Sequence, residues 1–409
     1  MLRRGILAGL VMCAVLLVVS APTSAREANP DGSLAAGLRT QLARALSTPG
    51  VDPARTGALA VDLRTGQMVF QRNPSLSLAP ASAEKLTVAF TALRVLGPAF
   101  RFRTHVLGRG ELRGRVWDGD LYLAGYGDPT LTVADLNALA RKVRAAGIRR
   151  VRGAIVGDEQ YFDSRRAAPG WKPSFLGFEC PPLSALTVQG LPIRGADGSA
   201  VAAASAFAGA LGRHGVAVSG RARTGLAPAD VIPLALDVSK PLAAILLQMD
   251  SESDNFIAEM LLKELGAAQL GHGTSVAGAA VVRVTLAQAG IPLDGVRIVD
   301  GSGLSGLDRV TPRALVVLLR TLERDPALRG VFLRSLPVAG MSGTLRNRLS
   351  LRATRGKILA KTGTTSRASA LAGFVRQRYV FAILQNGSPV SYWTARTAQD
   401  RFVTVLARS

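Results

Sequence analysis

Residues 80–95 constrain the fold more than any other stretch. Pro80 opens a helical pattern in which Leu86, Phe90 and Leu93 share one face, while Val88, Ala89 and Val95 cover the others. A surface helix keeps a polar face. A helix apolar all round has to be buried and central, so the rest of the chain must wrap around it. With 409 residues, 48% of them hydrophobic, there is enough chain for a large core and for more than one ordinary domain. Only 19% is charged and no low-complexity block occurs, which excludes wholesale disorder.

The same helix carries chemistry at its start. Ser82-Ala83-Glu84-Lys85 puts Ser and Lys at i and i+3, which share a helix face and lie close enough for proton transfer. This chain uses arginine almost throughout; Lys occurs only at 85, 142, 172, 240, 263, 357 and 361. Arginine cannot release its proton and lysine can, so a retained lysine asks for a reason. Lys361 lies in Lys361-Thr362-Gly363-Thr364, which opens a C-terminal strand. Between the two, Ser253-Asp254-Asn255 falls in a helix-breaking stretch between apolar segments. Ser-x-x-Lys, Ser-x-Asn and Lys-Thr-Gly each occur once, in that order. Together they form the motif set of serine enzymes that acylate on penicillin.

The remaining pattern is organised around this core. Ser33 to Leu46 reads as a helix, followed by strands at Gly57 to Leu63 and Gln67 to Gln71. From about Phe100 the texture changes to short strands amid glycines and prolines. Helical patterns cover Val133 to Ala146 and Ser199 to His214, with a strand at Val151 to Val156. Helices resume after Pro241, and three strands close the chain at Lys357 to Thr364, Ala368 to Arg376 and Tyr379 to Gln385, before a last helix at Ala395 to Ala407. Terminal helices flanking a C-terminal antiparallel sheet predict an α/β sandwich. Residues 101–235 read as a separate αβ unit; that residues 26–100 and 236–409 are two parts of one catalytic domain, with 101–235 inserted, is what the resemblance given below implies.

The N-terminus reads as a signal peptide over residues 1–25. Arg3 and Arg4 are basic, Ile6 to Val19 is an apolar run short for a spanning helix, and Thr23 and Ala25 suit cleavage before Arg26. An uncleaved anchor is the alternative. The formal charge of +22 favours an anionic surrounding. Outside the cytoplasm that is envelope material, with peripheral association at its surface, rather than nucleic acid. Aromatics are only 5%, and no arginine cluster interleaved with them offers a stacking platform. The other reading of the charge is a solvated basic surface. Cys13 leaves with the peptide, so Cys180 is alone and is read as a small buried residue. Three histidines without close His or Cys partners give no metal site, and no cofactor is expected.

The chain resembles the D-alanyl-D-alanine carboxypeptidase/endopeptidase family, peptidase S13, among the low-molecular-mass class C penicillin-binding proteins. Beyond the three motifs, the likeness rests on Pro80-Ala81, Leu121-Tyr122-Leu123 with Gly127 to Leu131, and Pro169-Gly170-Trp171. Ser184-Ala185-Leu186, Ala258-Glu259 and Asp300-Gly301-Ser302-Gly303-Leu304-Ser305 carry it further. It runs from about Ala58 to Gly387. The stretch between Ser82 and Ser253 is shorter than is usual in the family, which bears on preferred substrate length.

The resemblance implies a serine beta-lactamase/transpeptidase-like sandwich, an antiparallel sheet flanked by helices, with an inserted smaller αβ domain. It implies acyl transfer on D-Ala-D-Ala stem peptides of peptidoglycan, with beta-lactam antibiotics as inhibitors. Ser82 is then the nucleophile. Lys85 is its base, neutral through burial and the Lys361 cation. Ser253 relays a proton to the leaving amine, and Asn255 binds a substrate amide. The N–H groups of Ser82 and Thr364 form the oxyanion hole. Lys361, Thr362, Gly363 and Thr364 bind the substrate's terminal carboxylate end.

Other residues are assigned to structure. Asp254 is structural, and Glu84, at i+2 from Ser82, is expected to face solvent or a salt bridge. Met341-Ser342-Gly343-Thr344 either borders the site or is a plain turn. Gly271 to Gly278 resembles subtilisin fragments, but its His and Ser segments overlap, so it reads as a loop with Thr274 or Ser275 capping a helix. Two other functions remain to be separated: a beta-lactamase or esterase on the same fold, and a non-catalytic cationic wall-binding protein.

Overall fold

The computed structural model describes residues 30–193 and 198–409; the signal peptide expected at residues 1–25 lies outside them. Helix α1 (Pro30–Leu46) leads into strands β1 (Thr56–Asp62) and β2 (Met68–Arg72), and then helix α2 (Lys85–Val95). Strands β3 (Arg103–Arg113) and β4 (Val116–Gly125) begin the inserted unit. It continues through α3 (Val133–Ala145), β5 (Arg150–Val151), β6 (Ile155–Asp158), α4 (Gly198–Arg213), β7 (Ala217–Val218), β8 (Arg223–Thr224) and β9 (Ile232–Val238). The chain then runs through α5 (Leu242–Glu252), α6 (Asn255–Leu270), α7 (Ser275–Gln288), α8 (Pro312–Arg324) and α9 (Arg329–Ser335). It closes with β10 (Ile358–Thr364), β11 (Ala368–Val375), β12 (Tyr379–Asn386) and α10 (Tyr392–Arg408).

The central sheet is five-stranded and antiparallel, in the order β10-β11-β12-β1-β2. Both of its faces are covered, so its strands read as nearly continuous apolar runs. Val380, Ala382 and Leu384 of β12 join one core with α2 and helices α5 to α9. Phe381 and Ile383, on the opposite pleat, join a second core with α1 and α10. Helix α2 is buried continuously from Lys85 to Leu93, as its all-round apolar sequence requires.

The inserted unit has a seven-stranded sheet with α3 and α4 over one face, packed through Leu136, Leu139, Phe207 and Leu211. The long strand β4 pairs in parallel first with β5 and then with β6, after the crossover through α3. Thr132 and Asp135 start α3 with a reciprocal capping box. Its first and last strands lie side by side, with Arg103 opposite Val238. Ser239 Oγ accepts from the Phe102 N–H at 2.9 Å, and the Ser239 N–H donates back to the Phe102 carbonyl at 3.1 Å. The chain therefore returns to where it left, and α5 resumes beside α2.

Candidate active site

Ser82 lies in a short 3-10 turn, Ala81–Glu84, and the α-helix proper begins at Lys85. In a 3-10 turn residues i and i+3 eclipse, which stacks Lys85 over Ser82 more closely than α-helical spacing does. The turn is held from outside. Asn386 Oδ1 accepts from the Ala79 N–H at 2.8 Å, and its Nδ2 donates to the Ala79 carbonyl at 3.0 Å. Ala81 has φ +46°, a left-handed conformation that costs a non-glycine residue roughly 1–3 kcal/mol. Gly303 lies directly over it, where an added Cβ would stand 1.9 Å from the Ala81 carbonyl oxygen. Strand β10 also crosses closely at Gly363, where a Cβ would be 2.7 Å from the Pro80 carbonyl and 3.1 Å from the Ser82 nitrogen.

Ser253 and Asn255 flank the break between α5 and α6. Ser253 ends α5 in the left-handed conformation (φ +60°, ψ +39°). Asp254 caps α6 by accepting from the Ile257 N–H at 3.0 Å, so it is structural. The two capped ends present Ser253 and Asn255 to the site from adjoining helices.

Two buried lysines organise the chemistry. Lys85 Nζ donates to Ser82 Oγ at 3.1 Å, Asn255 Oδ1 at 2.7 Å and the Ser302 carbonyl at 2.8 Å. Lys361 Nζ donates to Ser253 Oγ at 2.8 Å and the Thr362 carbonyl at 3.0 Å. Burial pushes Lys85 down to about 8, against the pull of Asp300, Glu259, Asp254 and Asp250. Lys361 is pushed down first by burial and then by the Lys85 cation. Burial thus does most of what the sequence reading divided between burial and the Lys361 charge. The Lys85 charge thus disfavours a proton on Lys361, and burial eases proton release from both.

Of the expected residues, Ser82, Lys85, Ser253, Asn255, Lys361 and Gly363 converge here. Thr364 ends β10 and is exposed. Thr362 is buried, and its hydroxyl lies 2.8 Å from Thr344 Oγ1. Thr344 therefore borders the site by holding β10. Glu84 corrects the expectation of a solvent-facing residue. It is fully buried, accepts from Thr87 Oγ1 at 2.6 Å, and burial with nearby carboxyls pushes it up to about 8, so it is held protonated. Cys180 is buried among Phe162, Leu183 and Met260, and desolvation raises its thiol far out of the reactive range. Thr274 caps α7 through the Ala277 N–H at 3.0 Å.

Asn386 gave no local signal of its role. Like Ser302 and Thr344, it acts through contacts made only in the folded chain. Ser302 lies in a loop folded about the fully buried Asp300, which accepts from the N–H groups of Gly303 and Ser305, each at 2.7 Å.

Comparison with known proteins agrees with this geometry. The family described as D-Ala-D-Ala carboxypeptidase 3 (S13) matches residues 38–197 and 188–409. The D-alanyl-D-alanine carboxypeptidase of Actinomadura sp. strain R39 is 33% identical over 466 aligned positions, covering 93% of this chain and 86% of that protein. The carboxypeptidase DacB of Mycolicibacterium smegmatis is 33% identical, covering 95% and 85%. The crystal structure of penicillin binding protein 4 (dacB) from Haemophilus influenzae superposes with a TM-score of 0.80 at 24% identity, over 90% of this chain and 98% of that one. It shares the sandwich and its insertion. Site geometry, fold and sequence likeness over nearly the whole chain lead to one assignment: the chain belongs to the D-Ala-D-Ala carboxypeptidase 3 (S13) family.

Proposed function

We propose that this chain is an exported serine D-Ala-D-Ala carboxypeptidase that trims peptidoglycan stem peptides and also opens cross-links as an endopeptidase. The observation that carries the reading is a fully buried Lys85 whose Nζ lies 3.1 Å from Ser82 Oγ, with its other two hydrogen bonds on fixed acceptors.

Ser82 Oγ attacks the carbonyl of the penultimate D-Ala, and its proton passes to neutral Lys85. The oxyanion is met by the N–H groups of Ser82 and Thr364, each such donor contributing about 3–4 kcal/mol. As the C–N bond breaks, the leaving D-Ala nitrogen takes a proton from Ser253, which is replaced by the proton that Lys85 took from Ser82, so Lys85 is neutral again and Lys361 keeps its charge. Water then attacks the acyl ester, its proton passes to Lys85, and Ser82 Oγ leaves reprotonated. Asn255 orients the substrate amide. The Lys361 charge and the Thr364 hydroxyl hold the terminal carboxylate, with Gly363 letting the strand approach and Thr362 keeping β10 on Thr344. Beta-lactams acylate the same Ser82. The basic surface suits peripheral contact with anionic envelope polymers.

Intact mass after incubation with benzylpenicillin tests the reading. One persistent penicilloyl adduct is expected on the wild type and none on Ser82→Ala. An adduct on Ser82→Ala removes the assignment. Rapid drug turnover without accumulation points to a beta-lactamase. Neither adduct nor turnover, with binding to isolated cell wall retained, points to a non-catalytic wall-binding protein.

A further inference from the structure

The inserted unit reaches the catalytic lysine by two routes. Asn255 Nδ2 donates to the Glu179 carbonyl of the insert at 2.9 Å, while its Oδ1 accepts from Lys85. Trp171 Nε1 of the insert donates to Asp300 Oδ2 at 2.8 Å. Ser305 Oγ, from the same loop as Asp300, donates to the Pro169 carbonyl at 2.9 Å. Asp300 shapes residues 300–305, and Glu259 Oε1 accepts from the N–H groups of Gly301 at 2.9 Å and Ser302 at 2.8 Å. The Ser302 carbonyl is thereby fixed at 2.8 Å from Lys85 Nζ. Both acceptors of Lys85 other than Ser82 are thus braced by the insert.

Those two acceptors matter because of what a neutral amine can do. Lys85 without its extra proton has two N–H donors and one lone pair. With the donors spent on Asn255 Oδ1 and the Ser302 carbonyl, the lone pair is left facing its third contact, Ser82 Oγ. Losing either acceptor frees the amine to rotate, and the base then faces the nucleophile only part of the time.

We propose that Trp171 and Asp300 are positioning residues for acylation, through which the inserted unit keeps the Lys85 lone pair on Ser82. The inference rests on the acyl-enzyme reading above. Neither residue touches Ser82; they act through Ser302. Asp300 also contributes charge. Lys85 is faced by Asp300, Glu259, Asp254 and Asp250, which favour its proton, while Glu84, Cys180 and Lys361 lie within electrostatic range. Asp308, beside Asp300, is pushed well above the ordinary carboxyl value by burial and by the Asp300 charge.

The test measures benzylpenicillin acylation of the full chain, separating the rate at saturation from the half-saturating concentration, across pH and beside thermal midpoints. Trp171→Phe keeps the ring and removes the donor. The saturated rate is expected to fall roughly tenfold with half-saturation unchanged, because positioning is lost and binding is not. Asp300→Asn removes a negative charge near Lys85, so the rise of rate with pH is expected to move to lower pH. A purely structural role would lower the rate without moving that limb. Asp300 is fully buried; if its variant does not fold, Trp171→Phe at its half-buried position decides alone. A Trp171→Phe rate within twofold of the parent, or an unmoved limb in folded Asp300→Asn, overturns the proposal. An unacylated wild type overturns the acyl-enzyme reading with it, whereas an acylated wild type with indifferent variants overturns this inference only.

Discussion

Lys85 has three acceptors around it and no contact with water, so its charge alone cannot explain its place. An arginine would keep the charge and lose the only function that needs a removable proton. Lys85→Arg is therefore expected to lower benzylpenicillin acylation by about a thousandfold, within the range contributed by a positioned base. Stopped-flow acylation checks it, and a rate within tenfold of the parent would assign the base elsewhere. Gly363→Ala tests the approach of β10 to the nucleophile. Its Cβ would enter the space of the Pro80 carbonyl and the Ser82 nitrogen, both backbone atoms that cannot rotate away. About a hundredfold loss of acylation is expected, with a near-native circular dichroism spectrum. At this scale the sequence was readable where residue choice was unusual: two of the scarce lysines fall on the motifs. It was unreadable at Glu84. Its i+2 position turns it away from Ser82, but what lies on that side is the core around Asp300 and Glu259, which only the tertiary fold brings there.

The elements follow their local patterns wherever burial and pattern agree. The helical stretch at Val133 to Ala146 forms α3 at Val133–Ala145, and the strand at Tyr379 to Gln385 forms β12 at Tyr379–Asn386. Differences arise where partners decide. The single strand expected over Val151 to Val156 is two, Arg150–Val151 and Ile155–Asp158; both keep one register against β4, and the ladder is interrupted between them, where the Ala154 N–H donates to the Asp120 side chain at 2.7 Å. Strands β3 and β9 escaped notice because β3 runs exposed from Arg109 and β9 is only half-buried, so neither shows clean alternation. Asn386 shows how one element secures another. From the end of β12 it ties both backbone groups of Ala79, three residues before the nucleophile. Asn386→Ala removes both bonds. It is expected to lower acylation roughly tenfold and stability by about 1–3 kcal/mol, the range for two lost hydrogen bonds. Urea unfolding beside acylation rates checks this, and a stability loss with full acylation would make Asn386 a fold residue only.

Across the whole molecule, the core that positions the site also stores ionisable groups. Burial pushes Glu84, Glu259 and Glu264 up to about 8, from an ordinary value of 4.5. Between those values the folded chain holds protons that the unfolded chain has released. The stability these acids contribute is full below pH 4.5 and is lost as pH rises through 8. Lys85 runs the other way. Its ordinary value is 10.5 and its folded value about 8, so the unfolded chain binds the extra proton between them and stability recovers as pH climbs through that window. The two trends meet near pH 8, where a stability minimum is expected. Glu84→Gln replaces a protonated carboxyl by a neutral group of similar shape and cannot ionise. Its melting temperature is expected to fall less between pH 5 and pH 8 than that of the wild type. Equal falls in both proteins would place the Glu84 proton outside the folding equilibrium and weaken the case that Glu84 is held neutral by the fold. A smaller fall in the variant would mean that working pH costs this enzyme stability in the same cluster that surrounds its catalytic lysine.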